Sequence, residues 1–190
     1  MKHSIIVGFG LAGFHYAQQL KAYDKEFLII DKPQNSASRN AAGICNPTVL
    51  KRYTMAWKGV EFLNYAMPKY NSLESDFKTT VFYPLPIHRY FFSAGEQNLW
   101  AVASQDEVLN QFLEPTFKTK STNGIQRNFG YGNVKGVGRL AINKMLEAFL
   151  TLLNKDQNLE TTFDYERLEI HREKIVYNGI EAKNIIFCEG

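Results

Sequence analysis

A strand that ends in a glycine turn, opens into a helix and returns as a second strand closed by an acid leaves few folds open to a chain. This sequence begins that way. Ser4-Ile5-Ile6-Val7 is a β-branched run of the kind buried on both faces of a parallel sheet. Gly8-Phe9-Gly10-Leu11-Ala12-Gly13 follows at once, then Phe14 to Leu20, which holds no helix breaker. Phe27-Leu28-Ile29-Ile30 is the second strand, and Asp31 closes it at the spacing of a dinucleotide-binding βαβ unit. Each part has a physical job there. Gly8 permits the tight turn, Gly10 lets backbone approach a pyrophosphate, and Gly13 lets the helix pack close to the sheet. The helix N-terminus offers unpaired N–H groups and a partial positive charge. Asp31 accepts from a ribose 2′-OH and repels a 2′-phosphate, which disfavours NADP. The turn by itself does not separate FAD from NAD, and taken alone it also fits a purely structural role.

Composition removes other classes. The chain has 190 residues, 45% hydrophobic and 22% charged, which is ordinary globular usage for one domain, or one and a part. Lys and Arg number 22 against 19 Asp and Glu, a formal charge of +3. The basic residues are scattered, so no nucleic-acid partner is expected. Cys45 and Cys188 lie far apart, and no metal site or disulfide framework is expected, as suits a reducing compartment. No stretch approaches ~18 apolar residues, so no membrane span is expected. The N-terminus lacks a signal-peptide pattern, and the expectation is a soluble, cytoplasmic protein.

At the far end, Lys174 to Tyr177 and Ile180 to Ala182 flank Asn178-Gly179, the strongest two-residue hairpin signal. Lys183 to Phe187 reads as another buried-type strand, followed by Cys188-Glu189-Gly190. Such a strand normally continues into a loop facing a ligand, so the sequence is expected to be the front portion of a longer protein.

The stretch Ser36-Ala37-Ser38-Arg39-Asn40-Ala41-Ala42-Gly43-Ile44-Cys45-Asn46-Pro47, with the glycine turn before it, resembles the FAD-dependent oxidoreductases of the D-amino-acid oxidase and glycine oxidase type. Those proteins carry a small-residue segment with an arginine and then a glycine shortly after the ribose acid. The stretch is also similar to the oxidase-like domain that finishes modified wobble uridines in transfer RNA. The family pattern continues with Gly136-Val137-Gly138 before a helix whose apolar residues are Ile142, Met145, Leu146, Phe149, Leu152 and Leu153. A strand from Thr161 to Ile170, the hairpin and the last strand follow. In the family that strand usually ends Ala-Thr-Gly, and here it ends Cys188-Glu189-Gly190. The resemblance is specific over residues 4–47 and 136–190 and loose between them.

The resemblance implies an α/β fold: a Rossmann-like FAD/NAD(P)-binding domain with a parallel sheet over 1–47 and 133–190, and an inserted α+β substrate-domain portion over 48–132. It implies that Gly8, Gly10, Leu11, Ala12 and Gly13 contact the FAD pyrophosphate and that Asp31, with Lys32, holds the adenosine ribose. Ser38, Arg39 and Asn40 would face the pyrophosphate side, and Ala42, Gly43 and Ile44 the flavin ring. Asp164-Tyr165 would cradle adenine through backbone atoms, and Gly190 joins the cofactor-binding set. Plainer readings stand beside these: Arg39 as a solvated loop arginine, Lys32 as a surface charge, and 35–42 as a flexible loop.

Residues 48–130 read as a substrate-facing insertion. Trp57, Val60, Leu63 and Met67 suit a helix ending near Pro68, and Thr79 to Tyr83 and Ile87 to Ser93 read as strands. Ser104-Gln105-Asp106-Glu107 reads as a capping box opening a helix through Leu113, and Gly124 to Tyr131 as a further strand. Tyr83, Tyr90, Phe91, Phe92 and Trp100 suit core better than a pocket. His88-Arg89 is a weak candidate for anchoring a carboxylate. No residue is assigned a catalytic role, because in flavin chemistry the cofactor carries the reaction.

The function expected is an FAD-dependent oxidoreductase acting on a small-molecule amine or amino acid, with hydride transfer to flavin N5. An NAD-linked dehydrogenase and a nucleotide-binding module without turnover stay open. A transfer-RNA role draws little support from a charge of +3.

Overall fold

A computed structural model describes residues 1–32, 36–119 and 128–189. Along the chain the elements are β1 (Lys2–Val7), α1 (Leu11–Ala22), β2 (Phe27–Asp31), α2 (Ala37–Asn40), β3 (Ile44–Cys45), β4 (Thr48–Val49) and β5 (Thr54–Met55). Next come α3 (Gly59–Phe77), β6 (Phe82–Pro84), β7 (Ile87–Tyr90), α4 (Ala94–Ala103), β8 (Tyr131–Val134) and β9 (Gly138–Leu140). The last are α5 (Ile142–Leu150), β10 (Asn158–Glu160), β11 (Leu168–Ile170), β12 (Ile175–Tyr177) and β13 (Ile180–Phe187). They form two compact units, Met1–Ala41 with Ile142–Gly190, and Ala42–Ala141. Segments 42–47 and 133–141 lie in the second.

The first unit is an α/β fold on a six-stranded sheet of order β10-β2-β1-β13-β12-β11. Its first four strands run parallel, β12 runs antiparallel to β13, and β11 runs antiparallel to β12. The apolar runs of β1 and β2 explain their central place, since both faces are covered. Ile5, Val7, Leu28 and Ile30 pack with Phe163, Ile175, Tyr177 and Ala182 on one side. Ile6 turns the other way, towards Gly13 of α1. The rings of Phe9, Phe14 and Phe149 then join α1 to α5, with centroids 5.2–6.3 Å apart.

Asn178 and Gly179 make the expected hairpin, with φ of 47° and 79°, and Tyr177 pairs with Ile180 across it. Beyond it the two expected strands are one. β13 pairs with β12 through Ile180–Ala182 and with β1 as far as Phe187. Nor is it buried throughout: Lys183 and Asn184 are exposed, because polar residues interrupt its apolar pattern. The strand expected over Thr161–Ile170 is broken. Asp164 Oδ1 accepts from Glu166 N at 3.1 Å and caps a 3-10 turn over Tyr165–Arg167, so extended backbone resumes only at Leu168. α5 ends at Leu150, and Leu152 falls in the following turn, 44% exposed.

The second unit holds a three-stranded sheet of order β3-β9-β6 and the pairs β4-β5 and β7-β8. Phe91, Trp100, Leu109, Phe112, Leu113, Val134 and Val137 form its core. Trp100 donates Nε1–H to Glu114 O at 2.8 Å, and a Cβ on Gly132 would fall 2.3 Å from the indole. α3 does not stop at Pro68. It runs to Phe77, because Tyr70 and Leu73 beyond the proline are buried and Tyr70 stacks on Phe82. The capping box lies elsewhere than expected. Ser93 Oγ accepts from Glu96 N at 3.2 Å and opens α4, whereas Ser104 ends that helix and donates to Ala101 O. A 3-10 turn, Leu109–Gln111, replaces the helix expected after it, capped by Asp106. Of the strand expected over Gly124–Tyr131, residues 124–127 lie outside the described residues, and the observed strand begins at Tyr131.

Candidate functional site

In the first unit, the carboxyl ends of β2, β1 and β13 meet the N-terminus of α1, α2 and the loop after β10 around a cleft of about 550 Å³. This is the edge at which parallel sheets bind ligands. Gly8 donates its N–H to Ile30 O at 2.9 Å and has φ +92°, and a Cβ there would approach Cys188 backbone to 2.9 Å. A Cβ on Gly13 would lie 2.1 Å from Gly8 O, so the close approach of α1 to β1 requires glycine.

Two side chains organise the turn. Asp31 Oδ1 accepts from Phe9 N at 3.0 Å, which ties the acid at the end of β2 to the glycine turn. Ser38 Oγ accepts from Leu11 N at 3.0 Å. The space a Gly10 Cβ would take is held by that hydroxyl, 2.7 Å away. Gly10 therefore makes room for α2 as well as for any ligand. Ala12 and Gly13 lie in the first turn of α1, where N–H groups have no intrahelical acceptor. Ser36 Oγ accepts from Arg39 N at 3.2 Å and starts α2.

Of the residues singled out from sequence, Gly8, Gly10, Leu11, Ala12, Asp31, Lys32 and Ser38 line the cleft. Gly13 lies beneath it in the helix–strand packing. Arg39 and Asn40 sit on α2 and are not part of the lining. Arg39 O accepts from Asn143 Nδ2 at 3.2 Å, while Arg39 Nε is buried without a hydrogen-bond partner among the described residues. Tyr165 is on the 3-10 turn rather than a strand and is 57% exposed, with its hydroxyl donating to Glu189 Oε2. Ala42, Gly43 and Ile44 belong to the second unit. Gly43, at φ +74°, accepts from Leu140 N at 2.7 Å, and Ile44 pairs with Arg139. Gly190 lies outside the described residues.

Sequence reasoning missed Thr161, Thr162, Phe163, Cys188 and Glu189, all in the cleft wall. Cys188 and Glu189 had a signal, since residues following a parallel strand face this edge. Phe163 had none. Burial raises the thiol pKa of Cys188 above its ordinary value, and the same cause raises that of Cys45, so both favour the thiol form. His88-Arg89 has structural occupations. Arg89 pairs with Glu96 at 3.2 Å, donates to Tyr90 O at 2.7 Å and lies over the Phe92 ring, and His88 packs on Tyr131.

No family model matches the sequence. Solved structures do. Glycine oxidase from Bacillus cereus ATCC 14579 superposes with a TM-score of 0.67 at 14% identity, over 97% of this chain and 56% of that one. L-amino acid deaminase from Proteus myxofaciens gives 0.70 at 9% identity, over 100% and 45%. Iminodiacetate oxidase from Chelativorans sp. BNC1 gives 0.69 at 15% identity, over 99% and 55%. At these identities the fold is what is shared. The chain spans about half the length of the solved structures it matches. Among the described residues no helix is long and apolar enough to cross a membrane.

Proposed function

We propose that this chain forms the FAD-binding portion, with part of the substrate domain, of an oxidoreductase acting on a small-molecule amine or amino acid. The observation that carries the reading is the Phe9–Asp31 hydrogen bond, which holds the glycine turn of α1 and the acid of β2 at one cleft. The fold shared with amino-acid oxidase and deaminase structures supports the substrate class.

The residues present fit the adenosine diphosphate half of FAD. The first turn of α1 supplies N–H donors and a positive pole for a pyrophosphate. Ser38, accepting from Leu11 N, keeps its own hydroxyl proton to donate to a phosphate oxygen. Arg39 Nε on α2, a buried donor without a hydrogen-bond partner among the described residues, suits an anion there. Asp31 spends Oδ1 on Phe9 N and offers Oδ2 to ribose hydroxyls. When bound, FAD would supply the redox chemistry, as the acceptor of a hydride equivalent from the C–H next to the substrate nitrogen. The protein's part is to bind, orient and shield.

The test is an absorbance spectrum of the purified protein with the released cofactor identified after denaturation. Bands near ~450 nm and FAD in the supernatant are expected, followed by bleaching with members of an amine and amino-acid panel. A colourless protein that FAD does not reconstitute would overturn the reading.

A further inference from the structure

The sheet order brings a second carboxylate to the cleft. β2 and β13 flank β1 on opposite sides, so their carboxyl ends stand roughly 10 Å apart, the scale of a nucleoside. Asp31 closes one and Glu189 follows the other, and both line the cleft. The loop after β10 begins beside β2 and reaches as far as β13. Thr161, Thr162 and Phe163 form a wall of the cleft, the Phe163 ring meets the Phe187 ring edge-on at 5.6 Å, and the Tyr165 hydroxyl donates to Glu189 Oε2. Tyr165 also stacks on Phe187, with centroids 5.8 Å apart and planes 16° from parallel. The Tyr165 ring also meets Phe163 edge-on at 5.0 Å, so Glu189 is held on one oxygen by a ring packed against two aromatic neighbours. Among the described residues neither Glu189 nor Asp31 forms a salt bridge.

An ionised carboxylate only accepts hydrogen bonds, so this end of the cleft favours groups that donate them and repels phosphate. Asp31 suits ribose hydroxyls. The partly apolar space beside Phe163 and Glu189 suits a base, and on adenine the donor a carboxylate can read is the exocyclic amine. We infer that Glu189 is a specificity-determining residue of the nucleotide site, accepting from the 6-amino group of adenine, with Tyr165 as its positioning residue. The inference rests on the nucleotide reading of the cleft.

Calorimetric titration of the whole chain, freed of bound nucleotide, with ADP and with purine riboside 5′-diphosphate separates the two. The second probe keeps ribose and diphosphate and lacks only the amine. Wild type is expected to prefer ADP by about tenfold, the worth of one hydrogen bond to a charged group. Glu189→Ala should bring that ratio near one, and Tyr165→Phe should lower it, while Asp31→Asn weakens both probes alike. An unchanged ratio in Glu189→Ala with both probes still bound would overturn the role of Glu189 and leave the nucleotide site standing. Failure of a folded wild-type chain to bind either probe would overturn both.

Discussion

At single positions the first unit leaves little freedom. Gly13 is the tightest point of the α1–β1 packing, because an added methyl would meet the Gly8 carbonyl carbon and oxygen at 3.2 and 2.1 Å, backbone atoms that have no rotamer to change. Gly13→Ala is expected to push α1 off the sheet and destabilise the protein by about 3 kcal/mol or more, as overpacking against backbone does. A urea midpoint within error of wild type would refute that geometry. Tyr70 offers a pH test in the second unit. Burial, with a smaller contribution from Cys45, pushes its phenol up to about 12 from an ordinary 10.0. A phenol whose folded pKa is raised contributes stability that is fully present below pH 10. That contribution is lost as the pH climbs towards 12, since the unfolded chain ionises first. Stability should fall across this window, and Tyr70→Phe should flatten the decline. An identical slope in the variant would show that Tyr70 does not titrate as its burial requires.

At the scale of elements, α3 carries a conflict between local preference and packing. Pro68 has no N–H to donate to Asn64 and crowds its carbonyl, yet the helix continues so that Tyr70 and Leu73 reach the core. Pro68→Ala restores the missing bond and relieves the clash. It also frees the unfolded chain, which offsets part of the gain. The net expectation is a stabilisation of about 2 kcal/mol, seen as a higher urea midpoint, and a lower midpoint would mean that the proline fits the helix without strain. The same contest explains what was legible beforehand. α1 and the Asn178-Gly179 hairpin follow from local pattern, and both stand where the sequence puts them. α4 was hidden because Gly95 and the polar residues around it weaken the apolar period, although Ser93 and Glu96 already carried its cap. The break at Asp164 is legible as turn chemistry, and in the structure it prevails over the β-prone residues around it.

Over the whole molecule, the chain is two units, the first built from both ends of the sequence. It spans about half the length of the glycine oxidase, L-amino acid deaminase and iminodiacetate oxidase structures it matches. The sequence by itself determined the strand, glycine turn, helix, strand and acid at the start, and the hairpin near the end. Those are local properties: side-chain period, positive φ at Gly8, Asn178 and Gly179, and close approach at Gly13. Only the tertiary structure decided that β13 lies beside β1, that Phe163 and Glu189 join Asp31 at one cleft, and that Ser38 fills the space above Gly10. The physical reason is that these meetings join segments far apart in the chain. Burial drives them and has no direction along the sequence, so no local pattern announces which distant partner will be met.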